Sequence, residues 1–311
     1  MSKIVYHPDY NISLWGLEKL HPFPSNKYKR IKKMLDLSGK FKDAFVTPRM
    51  NRELIWSYLD PEYREKLRNS HFVANALEVP ILGYLPYSLL KRGVVDRMIL
   101  ASCGTILAAN LALEEGVAVN LGGGFHHARW DHGHGFCIVP DISIAIRELL
   151  SQKKVSRVTI VDLDAHLGDG NARSLAREVI SNEVQIIDFY DYRLFPNTNT
   201  AEIEAAKKSI EVDIGLGPLR DDDYLRDMDR FIFPQIDNFG PDLIVYNAGT
   251  DIYCLDPLSF LQISWKGIIE RDRKMFDFGK IKQIPVLMVL SGGYHRDSAR
   301  IVAESLIQNL V

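Results

Sequence analysis

Val158-Thr159-Ile160-Val161-Asp162-Leu163-Asp164-Ala165-His166 reads as a strand that runs into charge. The apolar run, counted from Val155 to Val161, is continuous rather than alternating. Strands covered on both faces, as in parallel sheets, have this pattern. Its polar end sets residues 162, 164 and 166 on one side of an extended chain. Two carboxylates and an imidazole leaving a buried strand together are costly unless paired or bound to a cation. A single aspartate there is ordinarily satisfied by a helix N-terminus and solvent, whereas Asp-x-Asp-x-His points to a metal.

Working outward, four more apolar runs end in Gly, Asp, Asn or Ser: 117–121, 184–189, 243–246 and 286–290, with 4–6 as a sixth candidate strand. Helical periodicity separates them. After Asp141, read as an N-cap, apolar residues fall at Ile142, Ala145, Ile146, Leu149 and Leu150, the stripe of an amphipathic helix. Segments 172–180 and 298–310 look similar, and the mostly apolar 98–113, which carries Ser102 and Asn110, reads as a buried helix too short to span a bilayer. Alternating strands and helices predict an α/β protein with a mainly parallel sheet. No Pro/Gly/Ser linker, repeat or low-complexity tract interrupts residues 1–311, so one domain is expected. The basic run Lys27-Tyr28-Lys29-Arg30-Ile31-Lys32-Lys33 reads as a solvated helix face.

Composition narrows the function. Of 311 residues, 46% are hydrophobic and 25% charged, which excludes disordered, collagen-like and coiled-coil chains. A net charge of −2 offers no general field for nucleic acid or an anionic membrane. Three cysteines without CxxC spacing fit a reducing compartment better than a disulfide framework. The start lacks the apolar core of a signal peptide, so a cytoplasmic location is expected.

Ligands of open α/β sheets bind beyond the carboxyl ends of the strands, and three further strand ends carry chemistry. Tyr246-Asn247-Ala248-Gly249-Thr250-Asp251 offers a third ligand, completing with Asp164 and His166 an N,O,O set of the kind that leaves room for water and substrate. These ligand types also accept iron(II), cobalt or manganese. Leu121-Gly122-Gly123-Gly124-Phe125-His126-His127 turns through three glycines into adjacent histidines, candidates for general base and electrostatic partner. It is neither a Walker A motif nor GxGxxG. His132 and His134 beyond it read as loop residues. Ser291-Gly292-Gly293-Tyr294 ends in a phenol that could donate to a developing oxyanion.

Taken together, GGGFHH at 122–127, GFC at 135–137, DLDAHLGDG at 162–170, NAGTD at 247–251 and SGGY at 291–294 resemble the zinc-dependent histone deacetylase family, of the arginase/deacetylase fold. Order and spacing match across nearly the whole chain. Residues 6–23, 247–252 and 291–306 look most like its class IV branch. The resemblance implies a three-layer α/β/α fold and one Zn2+ per chain on Asp164, His166 and Asp251. It implies His127 as general base and acid oriented by Asp169, His126 as its electrostatic neighbour paired with Asp162, and Tyr294 as oxyanion donor. Gly124, Gly135, Phe136 and Phe195 would contact an acyl-lysine substrate, the last from the loop after the 184–189 strand. A structural K+ near Asp162, with carbonyls from Asp164 and His166 and a contribution from Asp188, is also implied. Class IV further implies a preference for long fatty acyl groups over acetyl. Leu167 departs from the His or Gln that many relatives carry, and the rim aspartate that holds substrate backbone in class I has no evident counterpart.

Three rival readings make different demands on these residues. A two-metal ureohydrolase needs further carboxylates, but Asp251 is followed by Ile252 and Tyr253, and Asp169 lies three residues past His166. An acetylpolyamine hydrolase would need an acidic, narrowed mouth. A non-catalytic acyl-lysine reader would have lost a ligand, a histidine or the tyrosine, and all are present.

Overall fold

Eight strands form one sheet in which every neighbouring pair is parallel. The computed structural model describes residues 2–14, 16–176, 183–196 and 200–310. The strands are β1 (Lys3–Val5), β2 (Phe45–Val46), β3 (Val117–Asn120), β4 (Val158–Asp162), β5 (Val184–Asp191), β6 (Val212–Leu216), β7 (Leu243–Asn247) and β8 (Val286–Val289), in the order β2-β1-β3-β8-β7-β4-β5-β6. All six expected strands are present. β4 starts at Val158 rather than Val155, because the amides of Ser156 and Arg157 donate to the Asp242 carboxylate and hold that stretch outside the ladder. The two strands that periodicity missed, β2 and β6, lie at the sheet edges. One is two residues long, and the other carries Asp213 and Gly215.

Side chains alternate between two apolar layers. Val119, Val161, Ile187, Ile244, Tyr246 and Met288 face one, closed by helices Lys27–Ser38, Trp265–Lys282 and Ser298–Asn309. Ala118, Ile160, Ile186, Val245 and Leu287 face the other, closed by helices Asp96–Glu115 and Asp141–Ser151. This is the three-layer α/β/α arrangement. The expected buried helix is longer than 98–113. It runs unbroken from Tyr87 to Glu115 through a wider π turn at Lys91–Val95, and its length and apolarity alone would suffice to cross a membrane. Some 67% of its most apolar window is buried within the protein, so its hydrophobicity is used in the core. The helix expected over 172–180 begins at Asp169 and is described to Ala176; the remainder lies outside the described residues.

The order of strands decides where the chemistry meets. β3, β8, β7 and β4 are consecutive in the centre of the sheet, and their registers pair Asn120 with Val289, Val289 with Asn247, and Asn247 with Asp162. Their carboxyl ends are therefore level, and four segments separated by up to 170 residues emerge side by side.

Candidate active site

Asp164, His166 and Asp251 converge beyond β4 and β7, with one ligand atom from each lying within 4.8 Å of the others. His166 Nδ1 is 3.1 Å from Asp164 Oδ1 and 3.0 Å from Asp251 Oδ2. Backbone amides aim the carboxylates: Gly292 N–H donates to Asp164 Oδ2 at 2.8 Å, and Ala165 N–H to Asp251 Oδ1 at 2.9 Å. A Cβ on Gly292 would sit 2.3 Å from Asp251 Oδ2, so only glycine lets this loop approach. Both carboxylates are at most 1% exposed. Two hard oxygens and an imidazole, buried and preoriented, fit a divalent cation of the zinc type. Among the described residues this is the one such group, which favours a single metal over a two-metal ureohydrolase centre.

The tandem histidines differ in charge although their ring centroids are 4.1 Å apart. His126 Nδ1 lies 2.9 Å from Asp162 Oδ2; burial opposes its protonation, but Asp162 and Asp164 outweigh that and raise it to about 10. Burial and the adjacent His126 hold His127 down at about 3, against the opposing pull of its 3.0 Å contact with Asp169 Oδ1. Asp169 itself resists ionisation through burial, yet the contacts to His127 and His134 keep it a carboxylate. The carboxylates around His126 thus favour its protonated form, while burial favours neutral His127. Asp141, expected to cap its own helix, does not: its carboxylate accepts from Gly124 N–H at 2.9 Å, Phe125 N–H at 2.8 Å and the Thr105 hydroxyl. It holds the triple-glycine turn instead. At Gly124 φ is +83°, and a Cβ would strike the Ser291 amide.

Tyr294 follows the same turn logic on β8. Its amide and that of His295 donate to Asp256 Oδ2, and burial raises its phenol well above the ordinary range. The ring centroid is 6.2 Å from His166 and 5.9 Å from Phe136. Phe136 and Phe195 flank the approach with Gly135 between them and His127, whose ring is 5.1 Å from Phe195. Every residue assigned from sequence is thus near the centre.

Four others were not anticipated. His134, read as a loop residue, brings Nε2 within 3.2 Å of the second Asp169 oxygen. Lys27, read as part of a solvated face, is fully buried. Its ammonium donates to the carbonyls of Gly292 at 2.6 Å and Ser291 at 3.2 Å, beneath the loop that carries Tyr294, and burial lowers it to about 8. The other basic residues of the run, Lys29, Arg30, Lys32 and Lys33, are exposed or half-exposed, while Tyr28 and Ile31 are buried with Lys27. His21 packs edge-on against Phe136 at 4.2 Å, and Glu78, at φ +58°, lines the mouth with Pro22, Arg193, Leu258 and Phe260. No sequence periodicity marks these positions. Behind the centre, a narrow inner cavity of about 60 Å³ is lined in part by Tyr10, Phe23, Tyr28, Met98, Ala101 and Phe125. Beside it, Asp188 accepts from Gly168 N–H through Oδ2, while its buried Oδ1 has no partner and its carboxyl is raised by burial and by Asp162. That orphaned oxygen fits the K+ expected there.

Comparison with known proteins agrees with this geometry. The histone deacetylase domain profile matches residues 21–310. Histone deacetylase 2 of Arabidopsis thaliana is 41% identical over 309 residues, covering 99% of this chain and 78% of the relative. A probable deacetylase of Archaeoglobus fulgidus is 32% identical over 67% of this chain and 58% of its own length. The acetoin utilization protein AcuC of Staphylococcus xylosus is 28% identical over 80% and 67%. With a complete centre and a profile spanning nearly its full length, this chain belongs to the histone deacetylase family of hydrolases.

Proposed function

We propose that this protein is a zinc-dependent lysine deacylase of class IV type, cleaving the ε-amide of acyl-lysine in protein or peptide substrates and favouring long fatty acyl groups. One juxtaposition carries the reading: a buried Asp164–His166–Asp251 cluster faced by a neutral imidazole and a protonated phenol. Asp164, His166 and Asp251 would hold a divalent cation, which would supply Lewis-acid polarisation of the amide carbonyl and acidify water towards a pKa of about 7. His127 keeps a proton on Nδ1 against Asp169, so Nε2 is its basic nitrogen and takes the proton of the attacking water. His126, held 2.9 Å from Asp162, stands beside His127 where negative charge grows. Tyr294 donates its O–H to the developing oxyanion. His127 then returns its proton to the leaving lysine nitrogen, and Phe136 and Phe195 exclude bulk water around the amide.

The apolar lining of the narrow inner cavity supports the long-acyl preference, because a chain that widened it would meet hydrocarbon on most sides. At the mouth, Glu78 is the one acidic side chain among the described lining residues, which include Pro22, Phe195, Pro257, Leu258 and Phe260. Such a rim supports a peptide more than a polycationic polyamine, and Glu78 would accept from substrate backbone amides. Acyl-lysine peptides from acetyl to myristoyl, assayed with Zn2+ and with a hydroxamate chelator, test the reading. Chelator-sensitive hydrolysis rising with chain length is expected; hydrolysis of acetylpolyamines alone, or none, would overturn it.

A further inference from the structure

Arg271 lies on helix Trp265–Lys282 and is fully buried. Its guanidinium reaches two chain segments at once. Nη1 donates to Gly249 O at 2.6 Å and to Leu163 O at 3.3 Å, and Nη2 to Ala248 O at 3.4 Å. Leu163 directly precedes the ligand Asp164, and Ala248-Gly249 stand just before the ligand Asp251. These carbonyls lie beyond the last paired residues, Asp162 and Asn247; past them the two loops are joined by Leu163 N–H to Asn247 O, by Ala165 N–H to Asp251 Oδ1 and by the Arg271 fork.

The guanidinium is itself held. Nε donates to Asp272 Oδ1 at 3.0 Å, Asp272 accepts from the Tyr246 hydroxyl and, at 2.6 Å, from Ser305, and the cation stands 5.6 Å above the Tyr246 ring. Tyr246 belongs to β7, so the anchor is referenced to the sheet itself. A buried ion pair is weak support for stability, since apolar side chains of equal volume often do as well. What apolar groups cannot do is satisfy three carbonyls on two loops with one rigid plane. Guanidinium carries five donors in a fixed fork, and an ammonium does not reproduce that span.

We propose that Arg271 is a positioning residue for the metal centre: it sets the separation of the Asp164–His166 loop from the Asp251 loop, and so the shape of the ligand cluster. This rests on the metal reading above. Because Asp272 neutralises the guanidinium, the effect works through loop geometry and not through long-range charge.

The test uses Co2+ as probe on the full chain, reading affinity by chelator competition, the visible absorption of bound cobalt, and thermal midpoints with and without metal. Arg271→Lys retains the charge and loses the fork. It should weaken Co2+ binding by about ten- to a hundredfold, as loss of a partner behind metal ligands commonly does, alter the cobalt absorption, and shrink the midpoint rise that metal confers. Asp272→Asn, which leaves the guanidinium present but loosely held, should move each readout the same way by a smaller factor and serves if the lysine variant does not fold. Tyr63→Phe, which removes a buried bond to Ile138 O in the amino-terminal helical layer, should lower both midpoints equally and leave affinity unchanged. Unaltered Co2+ affinity and absorption in the folded Arg271 or Asp272 variants would overturn the assignment to Arg271 alone. Failure of the unaltered protein to bind Co2+ would overturn the metal reading and this inference with it.

Discussion

The carboxyl ends of β3, β4, β7 and β8 and the segment from Tyr6 to Pro86 meet at one centre but are built differently. The strand ends contribute ligands, base and phenol as short contiguous motifs, each fixed by the register of a parallel sheet. The amino-terminal segment contributes Tyr10, His21, Phe23, Lys27 and Glu78 from turns and short helices with no repeating pattern. Chemistry is therefore specified by sequence neighbours, while the walls and supports around it are specified by tertiary packing. If that division holds, changes at the strand ends should cost turnover outright. Changes in the amino-terminal segment should alter selectivity, loop order or stability.

The largest effect is expected at His127. His127→Asn should reduce turnover by about 10²–10⁴-fold, the usual worth of a general base, with zinc content retained by metal analysis; near-normal turnover would put the base elsewhere. Tyr294→Phe should cost on the order of a hundredfold or more in kcat, as loss of one oxyanion donor does, with little change in KM. Lys27→Met then sharpens the comparison from the other side. Removing the ammonium frees the Ser291 and Gly292 carbonyls, so turnover should fall by about tenfold or more through disorder of the Tyr294 loop. If a Tyr294→Phe background loses nothing further on Lys27→Met, the two act as one unit; a full additional loss would separate them.

Smaller effects test the walls. Ala101→Phe places a ring in the inner cavity and should lower kcat/KM for myristoyl-lysine by about tenfold while sparing acetyl-lysine. Equal losses for both acyl groups would show that the chain does not pass there. The smallest expected effect is a pH slope. Burial lowers His21 from 6.5 to about 4, so the unfolded chain takes up its proton first as pH falls. Stability contributed by the neutral imidazole is present above about 6.5 and drains between there and about 4, at no more than about 1.4 kcal/mol per pH unit. His127, held lower still, drains in the same direction. Urea unfolding of His21→Gln at pH 7, 6, 5 and 4 should show a shallower decline; identical slopes would mean His21 takes no part.

What could be read from sequence follows the same division. Central strands were legible because burial on both faces leaves continuous apolar runs, and the ligands because Asp-x-Asp-x-His stands out against such a run. Edge strands β2 and β6 escaped because short, half-exposed strands lack that signal. Lys27 was misread for a specific reason: a lysine among lysines on a helix looks solvated, and only the carbonyls of residues 264 and 265 positions away reveal its role. Asp141 was misread for the converse reason. Its position suits a helix cap, but its carboxylate is captured by the glycine turn 16 and 17 residues earlier. Arg271 offered no motif, since carbonyl partners leave no trace in side-chain identity.

The central claim is that a single divalent ion on Asp164, His166 and Asp251 is required for acyl-lysine hydrolysis. Titrating Zn2+ into chelator-stripped protein while following both bound metal and release of myristate from a myristoyl-lysine peptide tests it most directly. Activity should rise in step with binding to one equivalent per chain, and Asp251→Asn should abolish both together. Full hydrolysis by the stripped protein, or unchanged zinc uptake by Asp251→Asn, would contradict the account.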